Sequence, residues 1–135
     1  MANALYDIGR EGFLGGDIDW DANTIKVTLV DAADYTRDLA AHDFYNDVTV
    51  AGRVATSGAL ASKTKTAGVA DAADVTLSAV SGDQSEQLVV WADSGVESTS
   101  RLILNIDTAT GLPVTPNGGD ITVQWDSGAN KIFKL

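Results

Sequence analysis

The chain has 135 residues, enough for one domain with its own core, and no cysteine, so it offers neither a disulfide framework nor a thiolate metal site. Nineteen acidic residues against nine basic ones give a net charge of −10, which repels phosphate backbones; the basic residues are scattered, so nucleic acid is not an expected partner. No apolar run nears the ~20 residues that span a bilayer, and the start lacks a signal-peptide pattern, so a product made in the cytoplasm with no membrane partner is expected.

Segment 1–16 reads as an N-terminal helix or arm. Asn3 is placed to cap it, Leu5, Ile8 and Phe13 fall near one face, and Gly15-Gly16 stop it. Gly9 and Gly12 each cost such a helix about 1 kcal/mol relative to Ala, so it needs something to pack on. Asp17-Ile18-Asp19-Trp20-Asp21 then alternates, with Ile18 and Trp20 inward and the acids outward as in a strand, ending in a turn at Asp21–Asn23. Ile25, Val27 and Leu29 continue the period of two that marks a half-buried strand.

Leu39–Asn46 reads as a second short helix, with Leu39, Ala40 and Phe44 on one face. The Ala-rich stretch 51–73 fits either a strand pair, around Val54–Ser57 and Leu60–Thr66, or an exposed loop. Val75, Leu77 and Ala79 alternate again, and so do Ile121, Val123 and Trp125. Leu88–Ala92 and Arg101–Ile106 are apolar on both faces and read as central or covered strands. Asp93-Ser94-Gly95, Thr110-Gly111-Leu112-Pro113 and Pro116-Asn117-Gly118-Gly119 are turns between strands. Asp126-Ser127-Gly128 reads as the turn of a C-terminal hairpin joining Ile121–Trp125 to Lys131–Leu135. The whole is expected to be mainly β: an antiparallel sandwich or barrel, jelly-roll-like variants included, as one domain over 1–135. Of the acids, 16 are Asp and only 3 are Glu, which agrees with turns and strand ends over long helices.

The search for chemistry is short. His42 is the one histidine; beside Asp43 on a helical turn it would not face it, and it reads as a capping or surface residue. Gly58-Ala-Leu-Ala-Ser-Lys63-Thr64 has Ser62 where a phosphate loop has Gly, and lacks the flanking strand and helix. Asp17, Asp19 and Asp21 space like part of a calcium loop, but Ala22 replaces the turn glycine and Thr28 the bidentate Glu. Carboxylate pairs for glycoside hydrolysis abound among sixteen Asp without one standing out. Trp20, Trp91 and Trp125 lie in phase with apolar faces and read as core rather than as a sugar-stacking platform. No catalytic, cofactor or metal residues are expected.

The opening Ala4-Leu5-Tyr6-Asp7-Ile8-Gly9-Arg10-Glu11-Gly12-Phe13-Leu14, the run Asp17–Asp21 with Ile25-Lys26-Val27, and the ending Thr108–Asp126 resemble a family of small proteins of tailed bacteriophages and prophages. The similarity covers most of the chain and is least distinctive over 51–73. The resemblance implies a virion structural protein and brings no catalytic residues. The expected role is a capsid decoration or cement subunit that binds and stabilises the major capsid lattice as a homo-oligomer, localised in the virion. A tail, neck or baseplate component, or a host-surface carbohydrate-binding module, are the alternatives. Leu5, Tyr6, Ile8, Phe13 and Leu14 are the candidate assembly contacts, on a segment that packs on its own domain, a sister subunit or the lattice.

Overall fold

The computed structural model describes residues 3–135; Met1 and Ala2, the start of the expected arm, lie outside the described residues. The fold is mainly β. In chain order the strands are β1 (Ala4–Leu5), β2 (Thr24–Val30), β3 (Arg53–Thr56), β4 (Val69–Ala70), β5 (Val75–Leu77), β6 (Gln87–Asp93), β7 (Leu102–Ile106), β8 (Ile121–Val123) and β9 (Phe133–Lys134), with one α-helix, α1 (Asp7–Gly15). An antiparallel sheet in the order β1-β7-β6-β2-β3 forms the centre, and the ribbons β4-β9 and β5-β8 flank it. The sheet does not close into a barrel.

The alternation read from the sequence sets the sheet's two faces. Ile25, Val27, Leu29, Leu88, Val90, Leu104 and Ile106 join Leu77, Val123, Trp125, Phe133, Ile18 and Trp20 in the larger core cluster, so both ribbons and the 17–23 segment cover this face. Val30, Val89, Trp91 and Leu102 point to the other face, where Tyr6, Tyr35, Tyr45 and Val48 cover them. β6 and β7 are thus apolar on both sides because both sides are buried, as their composition predicts.

The N-terminal segment differs from expectation. Asn3 does not cap a helix; its side-chain oxygen accepts the N–H groups of Asp107 and Thr108, both at 2.9 Å. Ala4 and Leu5 pair with Asn105 and Leu104 instead, and the helix starts only at Asp7. Sheet pairing wins there because β7 otherwise has an open edge. β7 carries an irregularity where Val90 and Trp91 face Leu104 and Leu102, leaving Ile103 as the extra residue. The Tyr6 N–H donates to the Ile103 carbonyl at 2.9 Å, and α1 then runs against that bulge. A Cβ on Gly9 would come within 2.9 Å of the Ile103 Cα and the Leu102 carbonyl oxygen. The glycine that weakens the isolated helix is what lets it touch the sheet.

Two further expectations are corrected. Leu39–Asn46 is not an α-helix: Asp38 accepts the N–H groups of Ala40 and Ala41, closing one turn. The Leu102 N–H then takes the Asp43 carbonyl, and Phe44 bridges to Arg101, which pulls the chain straight before a 3-10 turn at Tyr45–Asp47. Nor is there a C-terminal hairpin. β8 pairs with β5 and β9 with β4, because the Trp125 N–H donates to Asp74 at 2.9 Å and Ile132 and Leu135 donate to the carbonyls of Ala70 and Gly68. Residues 17–21 keep the expected in–out burial but pair with no strand, and the alternation at 75–79 ends at Leu77. Of the strand pair expected in 51–73, the first strand is present as Arg53–Thr56, whereas 60–66 adds no strand beyond the isolated bridge of Thr64 to Asp71, and Val69–Ala70 pairs with β9 instead.

The two helix glycines should behave differently. Gly9→Ala pushes on backbone, and overpacking costs about 1–3 kcal/mol, more than the ~1 kcal/mol gained in helix propensity. The nearest atoms to a Cβ on Gly12 belong to the side chains of Ile18, at 2.6 Å, and Arg101, at 3.2 Å, and a side chain yields by rotation where backbone does not. Thermal melts should show a clear loss for Gly9→Ala and a smaller change for Gly12→Ala; equal stability of Gly9→Ala and wild type would contradict the close packing.

Candidate functional site

The groups that sequence reading singled out as chemically capable are dispersed. His42 is half-buried, and its Nδ1 receives the Asp38 N–H at 3.1 Å and lies 2.9 Å from the Tyr35 hydroxyl. Because a backbone N–H only donates, Nδ1 is an acceptor here, and the Tyr35 hydroxyl donates to it. The chain continues inward from Tyr35 to the Tyr6 hydroxyl at 2.9 Å, and from there to Asn105, which donates to Gln87 at 2.8 Å. Arg37 donates to the Asn105 side-chain oxygen at 2.8 Å and pairs with Asp107 at 3.3 Å. Burial raises both phenols above their ordinary range, so they stay protonated donors. No sequence pattern announces this network, since its members come from four distant segments. It anchors residues 35–42 onto the sheet.

A second polar knot sits on the same face. The Trp91 indole N–H donates to the Thr28 hydroxyl at 3.0 Å, and that hydroxyl also meets Tyr45 at 3.0 Å. Tyr45 stacks on Trp91 with ring centres 3.8 Å apart, and the Arg53 guanidinium lies 4.1 Å from the Tyr45 ring. The other two tryptophans are equally committed: Trp20 donates to the Asp71 carbonyl at 3.2 Å and Trp125 to that of Ala73 at 3.1 Å. All three are buried, so no indole platform faces solvent.

The acids at 17–23 point to separate partners. Asp17 pairs with Arg101 at 3.2 Å and Asp21 with Lys65 at 2.7 Å. Asp19 accepts the N–H groups of Ala22 and Asp21, which hold its carboxyl below the ordinary range. Lys63 donates to the Asn23 carbonyl, and burial lowers its ammonium below the usual lysine range. A different cluster, which the sequence does not signal, places one oxygen each of Asp31, Asp34 and Asp83 within 4.8 Å of one another. Asp31 is buried and accepts the Ala33 N–H at 2.8 Å, a local turn bond.

Two concave surfaces among the described residues are large enough for a ligand or a partner side chain. A groove of about 330 Å³ is lined by Phe13, Ile18, Trp20, Ala70, Phe133 and Leu135, with Asp19 and Lys65 among its polar lining residues. A cleft of about 640 Å³ lies between the ends of β6 and β7 and the segment 122–127. The five candidate assembly residues separate accordingly. Leu5 and Tyr6 are core residues of this domain, at 9% and 0% exposure, so they are not available to a partner as expected. Ile8 is half-buried against Tyr6 and its neighbours, and Phe13 lines the groove. Leu14 alone stands in solvent, 90% exposed.

No family model matches the chain, and no curated protein matches it in sequence.

Two solution measurements follow. The acids of 17–23 are satisfied by N–H groups and cations, so the melting temperature in chelator should equal that in millimolar calcium; a rise of several degrees with calcium would reveal a site here or at Asp31. Lys26 lies 2.7 Å from Asp93 and, with the Gly95 N–H, holds the Asp93 carboxyl below the ordinary range. A depressed carboxyl stabilises fully above its unfolded value of about 3.9 and loses that contribution as pH falls through the folded value. Urea midpoints should fall between pH ~5 and ~2 by less in Asp93→Asn than in wild type; parallel curves would remove the pair from the stability balance.

Proposed function

We propose that the chain is a structural subunit of a phage virion, a decoration or cement protein that docks on the major capsid lattice. The observation that carries this is the surface at the end of α1. One side of the helix is fixed to β7 through Gly9, while Leu14, next in the chain to the groove-lining Phe13, projects into water. Leu135, 60% exposed, stands on the same groove. Grouped apolar side chains on an exposed surface mark interaction sites, and a rigid sheet behind them limits the entropy lost on docking. The likeness to virion proteins of tailed phages supplies the partner: a lattice protein offering an apolar side chain to the groove. Many copies on a repeating shell make a weak single contact sufficient.

Particles stripped of this protein and then incubated with purified chain test the reading. Wild type should bind at a copy number set by the shell lattice. Leu14→Asp with Leu135→Ser should lose most of that binding with an unchanged melt, since exposed substitutions shift stability by only about 0.5 kcal/mol. Binding confined to a few copies would move the chain to tail, neck or baseplate. Absence of the protein from purified particles, or full binding by the double variant, would overturn the proposal.

A further inference from the structure

We infer that the larger cleft, between the ends of β6 and β7 and the segment 122–127, binds a short neutral glycan. The volume, about 640 Å³, falls within the ~300–1,000 Å³ of small-molecule sites. Its floor is apolar: Leu88 and Ile106 of the central sheet, with Val123, Trp125 and Ile132. Each of the first four is at most 9% exposed, so the floor is a strip of core that the ribbons leave reachable.

The two walls are held before any ligand arrives. On one side Asn3 takes the N–H groups of Asp107 and Thr108 and donates to the Thr108 carbonyl at 3.0 Å, fixing the exit of β7. On the other, Trp125 is fixed at its backbone by Asp74 and at its indole by the Ala73 carbonyl. These clamps leave the outer side chains unused. Among the described residues, Thr110, Gln124 and Ser127 line the cleft and their side chains make no hydrogen bond within the protein. Such pre-placed, unspent donors and acceptors over an apolar floor lower the cost of binding.

The chemistry of the walls selects the ligand. The free groups are hydroxyls and an amide, which both donate and accept without formal charge. The one cation of the cleft, Lys131, already pairs with Asp71 at 3.4 Å, and the chain carries −10 overall; phosphate, sulfate and carboxylate ligands are disfavoured. Asp126 is the sole carboxylate lining it, too few for a metal. A fatty acyl chain would strip water from the wall hydroxyls and return no hydrogen bond. A hexose run matches both surfaces, with C–H faces for the floor and hydroxyls for Thr110, Gln124 and Ser127. This inference needs no virion, so it stands or falls apart from the docking proposal.

Amide NMR spectra of the full chain titrated with maltotriose, cellotriose and triacetylchitotriose provide the test, with a blocked neutral tripeptide as the competing class. At least one trisaccharide should shift the Thr110 and Gln124 amides and the Trp125 indole N–H and saturate at millimolar concentration. Gln124→Ala with Ser127→Ala, both exposed positions, should weaken that binding about tenfold, the scale of one lost hydrogen bond, while the remaining spectrum stays folded. No shift from any of the three sugars, shifts that survive in the double variant, or shifts caused by the tripeptide alone would each overturn it.

Discussion

The structure depends on one constraint: the strands β6 and β7 must be covered on both faces. The single α-helix is spent on the β7 edge, and the ribbons are only two or three residues long per strand. Irregular chain therefore does most of the covering, and irregular chain brings backbone N–H groups that no ladder satisfies. The aspartates answer that need. Asp19, Asp31, Asp38, Asp47 and Asp93 each accept backbone N–H groups in turns, while Asp74 reaches across to the N–H of Trp125 and Asp120 to that of Ala79. Part of the acidity of this chain is thus loop stitching.

The same constraint divides the core. The face under the ribbons is almost purely aliphatic and aromatic, whereas the face under residues 31–52 is tied by Thr28, Tyr6, Tyr35, Asn105 and Gln87. Polar groups buried this deeply are tolerable because each meets a partner, and they fix which loop lies where. An apolar face alone would hold the ribbons with less discrimination.

What was legible in the sequence was local. The alternation at 25–29 and the two-sided apolar runs at 88–92 and 101–106 located the central strands, because period and burial are encoded residue by residue. Asn3 misled because a cap for a helix and a clamp for a distant loop use the same side-chain oxygen. The Asp126-Ser127-Gly128 turn misled because the partners of β8 and β9 lie about fifty and sixty residues upstream, in segments with weak patterns of their own. The candidate surfaces were legible only in part. Leu5, Tyr6, Ile8, Phe13 and Leu14 looked alike as apolar residues of one segment, yet Leu5 and Tyr6 are core and Leu14 is exposed. The cleft walls, Thr108–Thr110 and Thr122–Ser127, become neighbours only once β1, β7 and β8 are placed.

The pairing of Ala4 with Asn105 sets a timetable for synthesis. A ribosome releases the first strand and its helix about a hundred residues before their partner, so they must wait. β2 and β3 are the first pair of the central sheet to be released whole, and β6 and β7 follow across a shorter connection. β2 then joins β6 from the waiting chain, and the N-terminal segment seals the remaining edge. In that interval Leu5 and Tyr6, core residues of the finished fold, are uncovered, and the nascent chain exposes apolar surface there that the folded domain does not.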